Sequence, residues 1–140
     1  MLLPLRLPVT KGVLTKMTTA TAAKTVLVVE DEPLVMRTTS DLLEHDGYRV
    51  LGASCYKDAV ATLESQPETA VLVTDISIGE DGDGVQLAKY VADRFPHVRI
   101  LIVSGAVRPS GDAYPKDAIF FTKPYAPGAL LTIVRDCLDC

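Results

Sequence analysis

The stretch AVLVTD, residues 70–75, is a run of mostly apolar residues that ends on an aspartate. Its side chains do not alternate regularly between apolar and polar. A strand formed by it is therefore buried on both faces, which is typical of a parallel sheet covered by helices on both sides. Four other segments are strand-like as well. We predict strands at residues 26–29, 48–53, 70–74, 98–103 and 119–122.

Segments with a helical apolar period separate these predicted strands. Pro33 fits the first position of a helix, where its fixed φ is suitable and its missing N–H is not needed. Ser54 and Asp83 can act as N-caps of a second and a third helix, and a last helix follows Pro127. The side chains that we expect to face the core are Val35, Thr39, Leu42, Leu43, Ala59, Val60, Leu63, Leu87, Ala88, Val91, Phe95, Leu130, Val134 and Leu138.

The alternation of strands and helices predicts the fold class. Only residues 105–117 interrupt it, because two prolines and two glycines make a long helix there unfavourable. We predict a short or irregular fourth helix at that point. Right-handed crossovers then give a doubly wound α/β fold with a five-stranded parallel sheet, for which 2-1-3-4-5 is a common strand order.

Composition and charge restrict the class of protein. The chain has 140 residues, of which 48% are hydrophobic and 23% charged, as expected for one soluble globular domain. No apolar stretch approaches the roughly 18 residues needed to cross a bilayer, so we expect no membrane partner. Residues 1–29 carry four basic side chains and no acidic one, whereas the remainder carries 10 basic and 18 acidic side chains. An acidic body disfavours direct nucleic-acid binding, which depends on Lys and Arg.

The chain also divides into two parts by composition. Residues 1–24 are rich in threonine and contain no acidic residue. We interpret them as a disordered extension or as the product of an upstream start site. Residues 25–140 form the predicted domain, and we expect no output domain beyond it.

Polar side chains follow four of the five predicted strands. Glu30 and Asp31 follow the first strand, Asp75 the third, Ser104 the fourth and Lys123 the fifth. Any one of them alone is most simply a turn cap or a solvated charge. In a doubly wound sheet, however, ligands bind beyond the carboxyl ends of the strands, and the order 2-1-3-4-5 brings these ends together.

The shared charge of this group indicates a chemistry. Three crowded carboxylates repel one another unless a cation is present, and oxygen ligands with open positions suit Mg²⁺. If a phosphoryl group were bound to one carboxylate, Mg²⁺ and Lys123 would balance its charge and Ser104 would donate a hydrogen bond. The pattern predicts phosphoryl transfer to an aspartate.

Four motifs in this order resemble the receiver domain of bacterial two-component response regulators. The resemblance covers residues 25 to about 138 and implies the flavodoxin-like receiver fold. The motifs are VLVVEDEP (26–33), VLVTD (71–75), ILIVSG (100–105) and FFTKPY (120–125).

The resemblance implies a role for each residue at the phosphorylation site. Asp75 matches the phosphoacceptor, which attacks the phosphohistidine of a sensor histidine kinase or a histidine phosphotransfer protein. Asp31 and Asp75 match direct Mg²⁺ ligands, Glu30 matches an acid that acts through water, and Ser77 would contribute its backbone carbonyl. Lys123 matches the lysine that pairs with the phosphoryl group, and its bond to the following proline is typically cis in this family.

The resemblance also implies a switch. Ser104 matches the hydroxyl that moves toward the phosphoryl group, and Phe120 matches the aromatic residue that follows it inward. An unidentified output protein would bind the surface formed by the fourth strand, the fifth strand and the last helix. The protein would then be a cytoplasmic signalling phosphoacceptor with intrinsic phosphorylation and dephosphorylation chemistry, and not an enzyme acting on a separate substrate.

The loop after Asp75 departs from the family pattern. Gly79 stands where the family usually has proline, and Gly84 comes one residue later than the commonest spacing. We expect glycine to make this loop more mobile and the metal-bound geometry less preformed. Glu80 and Asp81 are interpreted as solvated loop charges.

Three other functions remain open at this point. A haloacid-dehalogenase-type phosphohydrolase also uses a strand-end aspartate and Mg²⁺, but it needs a second aspartate where this chain has Ser77. A flavin-binding electron carrier of the same fold needs a phosphate-binding loop after the first strand, and none is present in the sequence. A receiver that is never phosphorylated could serve as a docking module.

Overall fold

The computed structural model describes residues 23–105 and 114–139, and in these ranges it contains five strands and four helices. The strands are β1 (Thr25–Val29), β2 (Arg49–Ala53), β3 (Val71–Asp75), β4 (Arg99–Ser104) and β5 (Ile119–Thr122). The helices are α1 (Pro33–His45), α2 (Tyr56–Ser65), α3 (Gly84–Arg94) and α4 (Pro127–Asp139).

The five strands form one parallel sheet in the order β2-β1-β3-β4-β5. The predicted fold class and strand order are confirmed, and each predicted strand lies within one residue of its observed bounds. β3 is central, pairing with β1 on one side and β4 on the other. Its last residue, Asp75, lies opposite Val103 of β4.

Two apolar layers cover the two faces of the sheet. Leu27, Leu72 and Ile102 face one layer, which contains buried residues of α2 and α3. Their sequence neighbours Val28, Val73 and Val103 face the other layer, which contains buried residues of α1 and α4. This double burial is the reason that the central strands are apolar at almost every position.

The helix starts agree with the sequence for α1, for α3 and for α4, which begins at Pro127, but not for α2. Pro33 occupies the first turn of α1. Asp83 caps α3 in a capping box, since its Oδ1 accepts from the N–H of Gln86 at 2.8 Å and the Gln86 side chain accepts from the N–H of Asp83 at 2.8 Å. The prediction for Ser54 was wrong. Cys55 is the N-cap of α2, and the hydroxyl of Ser54 lies 3.5 Å from Oδ2 of Asp58.

Two predictions fall mainly on residues outside the described ranges. These are the extension at residues 1–24 and the short or irregular connection at residues 105–117, of which 106–113 are not described. Within the part that is described, residue 105 and residues 114–117 are not helical. No helix in the described ranges is long and apolar enough to cross a bilayer.

Helices α1 and α4 are joined by an ion pair on the surface. Asp46, the C-cap residue of α1, accepts two hydrogen bonds from the guanidinium of Arg135 in α4, at 2.7 and 3.1 Å. The planar guanidinium and the carboxylate match in this bidentate geometry. The pair fixes the end of α1 relative to the last helix.

Gly84 is a position where a side chain would be costly. A Cβ atom there would collide with the carbonyl group of Asp75. We expect Gly84→Ala to lower the free energy of unfolding by about 2 kcal/mol, because overpacking forces the backbone to shift. Urea unfolding would measure this loss of stability.

Gly128→Ala in α4 is the matched control, since a Cβ there meets no atom within 4 Å, and its stability should be unchanged or higher. Equal stability of Gly84→Ala and wild type would contradict the prediction.

The Asp46–Arg135 pair predicts a pH dependence. Hydrogen bonds from Arg135 lower the pKa of Asp46 below its ordinary value of 3.8. Such a group stabilises the fold above its unfolded-state pKa and loses this effect as the pH falls through the folded-state pKa. We therefore expect Asp46→Asn to be less stable than wild type at pH 7, and the difference to narrow below about pH 4.

Urea unfolding at a series of pH values would measure this difference. Asp41→Asn is the control, because Asp41 pairs with Arg37 across 3.4 Å on the exposed face of α1, where ion pairs contribute little. A difference between Asp46→Asn and wild type that stays constant from neutral to acidic pH would contradict the assignment.

Candidate functional site

The carboxyl ends of β1, β3 and β5 bring an acid pair and a lysine into one crevice. Asp75 ends β3, Glu30 follows β1 directly, and Lys123 follows β5 directly. The Nζ atom of Lys123 lies 3.0 Å from Oδ2 of Asp75 and 3.7 Å from Oε1 of Glu30. The strand order thus joins residues that are 45 or more positions apart in sequence.

Asp75 is held by both of its carboxylate oxygens. Oδ2 accepts from the ammonium of Lys123, and Oδ1 accepts from the backbone N–H of Ile76 at 2.8 Å. Its side chain is 16% exposed, so it is largely packed but can still be reached from solvent. An oriented carboxylate at the edge of a parallel sheet has the geometry required of a nucleophile.

Glu30 is the most buried of the acids, with 7% of its side chain exposed. Burial is the main cause that raises its pKa, and the nearby carboxylates of Asp75 and Asp31 add to this effect. A hydrogen bond from the N–H of Glu32 at 3.1 Å and the charge of Lys123 work in the opposite direction. Glu30 thus lies beside two further carboxylates, those of Asp75 and Asp31, and the ammonium of Lys123.

Lys123 is positioned by its backbone as well as by its charge. Its N–H donates to the carbonyl of Ser104 at 2.8 Å, and the Lys123–Pro124 peptide bond is cis, as the family resemblance implied. Partial burial works to lower the pKa of Lys123, but the hydrogen bond and the charge of Asp75, together with Glu30, outweigh it and raise the pKa. The side chain is thus a fixed ammonium at neutral pH.

The predicted switch residues lie on the neighbouring strands. Ser104 is buried at the end of β4 and pairs in register with Thr122 of β5. Phe120 pairs in register with Ile102 and is half-buried, with its ring centroid 5.8 Å from that of Tyr114. Both residues therefore connect the crevice to the β4–β5 edge of the sheet.

The remaining predicted ligands, Asp31 and Ser77, are exposed, and Asp31 makes a side-chain hydrogen bond with Glu30. Across residues 23–105 and 114–139, no three His, Cys, Asp or Glu side chains are grouped as ligands of one metal ion. Mg²⁺ needs no such group, because it binds one or two carboxylates and keeps several waters. The donor oxygens and the unbalanced negative charge around Glu30 fit a hard divalent cation.

Asp81, in the loop between β3 and α3, has a role that the sequence did not show. It was expected to be a solvated charge and is exposed, but its carboxylate also accepts from the N–H groups of Tyr56 at 3.3 Å and Lys57 at 2.9 Å. It thus caps the first turn of α2. No local pattern could have shown this, because the two amides lie 24 and 25 residues away.

Comparisons with known proteins identify the family of the chain. Residues 26–135 match the response regulator receiver domain family. The chain is 29% identical over 118 residues to the two-component response regulator PprB of Pseudomonas aeruginosa, and 32% identical over 116 residues to the alginate biosynthesis regulatory protein AlgB of the same organism. These alignments cover 76% and 81% of the chain but only 40% and 25% of the relatives, so the chain spans less than half of their length.

A solved structure agrees as well. The response regulator receiver protein from Sinorhizobium medicae superimposes with a TM-score of 0.78 at 27% identity, covering 84% of this chain and 96% of that one. The family match covers most of the chain, and the fold and the strand order agree with it. The chain therefore belongs to the response regulator receiver domain family of two-component signalling.

Proposed function

We propose that Asp75 accepts a phosphoryl group from a phosphohistidine in an Mg²⁺-dependent reaction. The observation that carries the proposal is the geometry of Asp75, whose carboxylate is held between the N–H of Ile76 and the ammonium of Lys123. Phosphoryl acceptance is general to receiver domains, and this chain has a competent side chain at each position that the reaction uses.

The transfer balances as a displacement at phosphorus. A carboxylate oxygen of Asp75 forms the new O–P bond, the N–P bond of the phosphohistidine breaks, and the imidazole of the donor leaves with the electron pair. Lys123, which contacts Asp75 and Glu30, would also contact the phosphoryl oxygens, which carry the added charge of about −1.5 to −2. Ser104 directly follows Val103, the register partner of Asp75, and would donate to one of those oxygens.

Mg²⁺ would be held by Asp31, Asp75 and the backbone carbonyl of Ser77, with Glu30 acting through water. When bound, it neutralises charge on the transferring phosphoryl group. The requirement arises because the carboxylates of Glu30 and Asp75 share the ammonium of Lys123, and Asp31 adds a third carboxylate beside Glu30. Lys123 by itself leaves the crevice with a net negative charge, which repels a phosphate.

The donor would be a sensor histidine kinase or a histidine phosphotransfer protein, the partner class of receiver domains, acting in the cytoplasm. It has to present its phosphohistidine at the mouth of the crevice. Leu34 in the first turn of α1 lies there and is 81% exposed. Together with Val35, Leu42, Tyr125 and Pro127 it lines an open groove between α1 and α4, which offers an apolar contact surface for the donor.

The output would be a change in the surface formed by β4, β5 and α4. Ser104 is buried in the unphosphorylated protein. Thr122 is the register partner of Ser104, and Phe120 lies two residues before Thr122 on β5. Movement of Ser104 toward a phosphoryl group would open room that the Phe120 ring can enter. The chain would thus act as a switchable binding module or as a phosphorelay component, with an unidentified output partner.

The proposal disfavours the phosphohydrolase that shares a strand-end aspartate. That enzyme needs a general acid two residues after the nucleophile, and Ser77 occupies the position. The docking module that is never phosphorylated is disfavoured because Asp75, Lys123 and Glu30 already lie in contact. Both alternatives give different results in the experiment below.

Phosphorylation at Asp75 is tested by intact mass. Incubation with Mg²⁺ and acetyl phosphate should add the mass of one phosphoryl group to wild type and none to Asp75→Asn, which lacks the nucleophile. Excess EDTA should abolish the gain, because the crevice then keeps its unbalanced carboxylates. Asp83→Asn is the control, since it retains an N-cap side chain outside the crevice.

Two results would contradict the proposal. One is the absence of a mass gain in wild type, which would favour the docking module. The other is an equal gain in Asp75→Asn, which would place the phosphoryl group elsewhere. Sustained phosphate release from several phosphomonoesters would instead favour the phosphohydrolase.

If Ser104 is part of the switch, Ser104→Ala should still be phosphorylated but should lack most of the structural change that phosphorylation causes at β5. The variant should still gain one phosphoryl group, because Asp75 is intact, but the phosphorylation-induced chemical shift changes of the Phe120 ring and the β5 amides should fall by more than about half. NMR before and after addition of acetyl phosphate measures this. Thr122→Ala, which removes an exposed hydroxyl at the partner position, should respond as wild type does. Unchanged shifts in Ser104→Ala would remove Ser104 from the switch.

A further inference from the structure

The loop from Asp75 to Gly84 is fixed to helix α2 as well as to its own strand. Asp81 accepts from the N–H groups of Tyr56 and Lys57, at 3.3 and 2.9 Å, which are the first two residues of α2. The N-cap of that helix, Cys55, makes no side-chain cap hydrogen bond. Asp81 therefore supplies the capping carboxylate that the sequence near α2 does not.

Backbone contacts reinforce this link. Gly82 lies so close to Tyr56 that a Cβ atom there would be 2.7 Å from the Tyr56 ring. Gly79 lies near Cys55, since a Cβ atom added at Gly79 would be 3.7 Å from the Cβ atom of Cys55. Both glycines have positive φ, +153° and +112°, a backbone conformation that suits glycine. We call this set of contacts, from residues 79–82 to residues 55–57, the α2 clamp.

The other side of the loop is fixed by the sheet. The N–H of Gly84 donates to the carbonyl of Ile76 at 2.7 Å, and the N–H of Ile76 donates to the carbonyl of Val103 at 3.2 Å. Ile78 is fully buried in the layer shared with α2 and α3. Ser77 lies between these anchors, so its carbonyl depends on contacts at both ends of the loop.

We infer that Asp81 is a positioning residue for the phosphorylation site, and that the α2 clamp takes the place of the proline that the family usually has at position 79. The inference rests on the proposed role of Ser77 as a metal ligand. A loop with glycines at positions 79, 82 and 84 has high conformational freedom when unrestrained. The clamp removes that freedom on the side facing α2.

The carboxylate of Asp81 is ionised when it makes these contacts. The hydrogen bond from the N–H of Lys57 is the main cause that lowers its pKa, and the N–H of Tyr56 and the thiol of Cys55 contribute. A negative charge at the start of a helix also interacts favourably with the helix dipole. The clamp is therefore fully formed at neutral pH, where phosphoryl transfer takes place.

A matched pair of variants distinguishes the effect of losing the clamp hydrogen bonds from the effect of losing the Asp81 charge. Asp81→Ala removes both hydrogen bonds, whereas Asp81→Asn removes the charge and keeps one acceptor oxygen, which is a good cap. Glu80→Gln removes the same charge from the adjacent exposed residue. A merely electrostatic effect on Mg²⁺ would be equal in Asp81→Asn and Glu80→Gln.

The experiment measures the Mg²⁺ concentration that gives half-maximal phosphorylation by acetyl phosphate, together with amide hydrogen exchange of residues 76–84. We expect Asp81→Ala to raise the half-maximal Mg²⁺ concentration about fivefold, the factor that corresponds to one lost cap. Asp81→Asn should restore most of this loss, and Glu80→Gln should match wild type. Exchange at residues 77–82 should be about fivefold faster in Asp81→Ala.

Thermal unfolding of each variant identifies a merely structural role. If Asp81→Ala is less stable but has the wild-type Mg²⁺ dependence at a temperature where it is folded, Asp81 is a structural cap and the inference is overturned. Unchanged hydrogen exchange in Asp81→Ala would overturn it as well, and this result does not require phosphorylation. If wild type gains no phosphoryl group, the proposed function fails, while hydrogen exchange still decides whether Asp81 orders the loop.

Discussion

The contact between the Lys123 ammonium and the Asp75 carboxylate, 3.0 Å long, is the interaction on which the rest of the site depends. It fixes the reactive carboxylate and partly neutralises the acids around it. Glu30, nearly buried 3.7 Å from the same ammonium, keeps the local charge negative. Under the proposed function, binding of a phosphoryl group and binding of Mg²⁺ would be linked, because crowded carboxylates favour a bound cation.

The parallel sheet makes this contact possible. Site residues lie at or just after the carboxyl ends of β1, β3, β4 and β5, and apolar layers on both faces hold the strands in register. The same register places Ser104 beside β5 and Phe120 beside Ile102. A change at Asp75 can therefore reach the β4–β5 edge through strands that are packed on both faces and that transmit displacement.

The loop after β3 shows how a local departure can be offset by tertiary contacts. Glycine at position 79 led us to expect mobility, and the sequence alone offers no restraint. The structure supplies a restraint from α2, because the carboxylate of Asp81 caps that helix and Gly82 packs against the Tyr56 ring. The N-cap position of α2 is occupied by Cys55 and not by Ser54, which leaves the first amides of the helix available to Asp81.

The sequence alone predicted the strands, the start of α1 and the N-cap of α3 correctly, because hydrophobic periodicity, proline and capping residues act over a few positions. The strand order followed from the order that is common in doubly wound sheets, and the candidate site residues followed from that order. The burial of Glu30 and the contacts of Lys123 with two acids depend on strands that are distant along the chain. The cap that Asp81 provides for α2 also joins residues 24 and 25 positions apart. Only the tertiary structure decided these features, since a hydrogen bond between distant residues leaves no periodic or local signal in either segment.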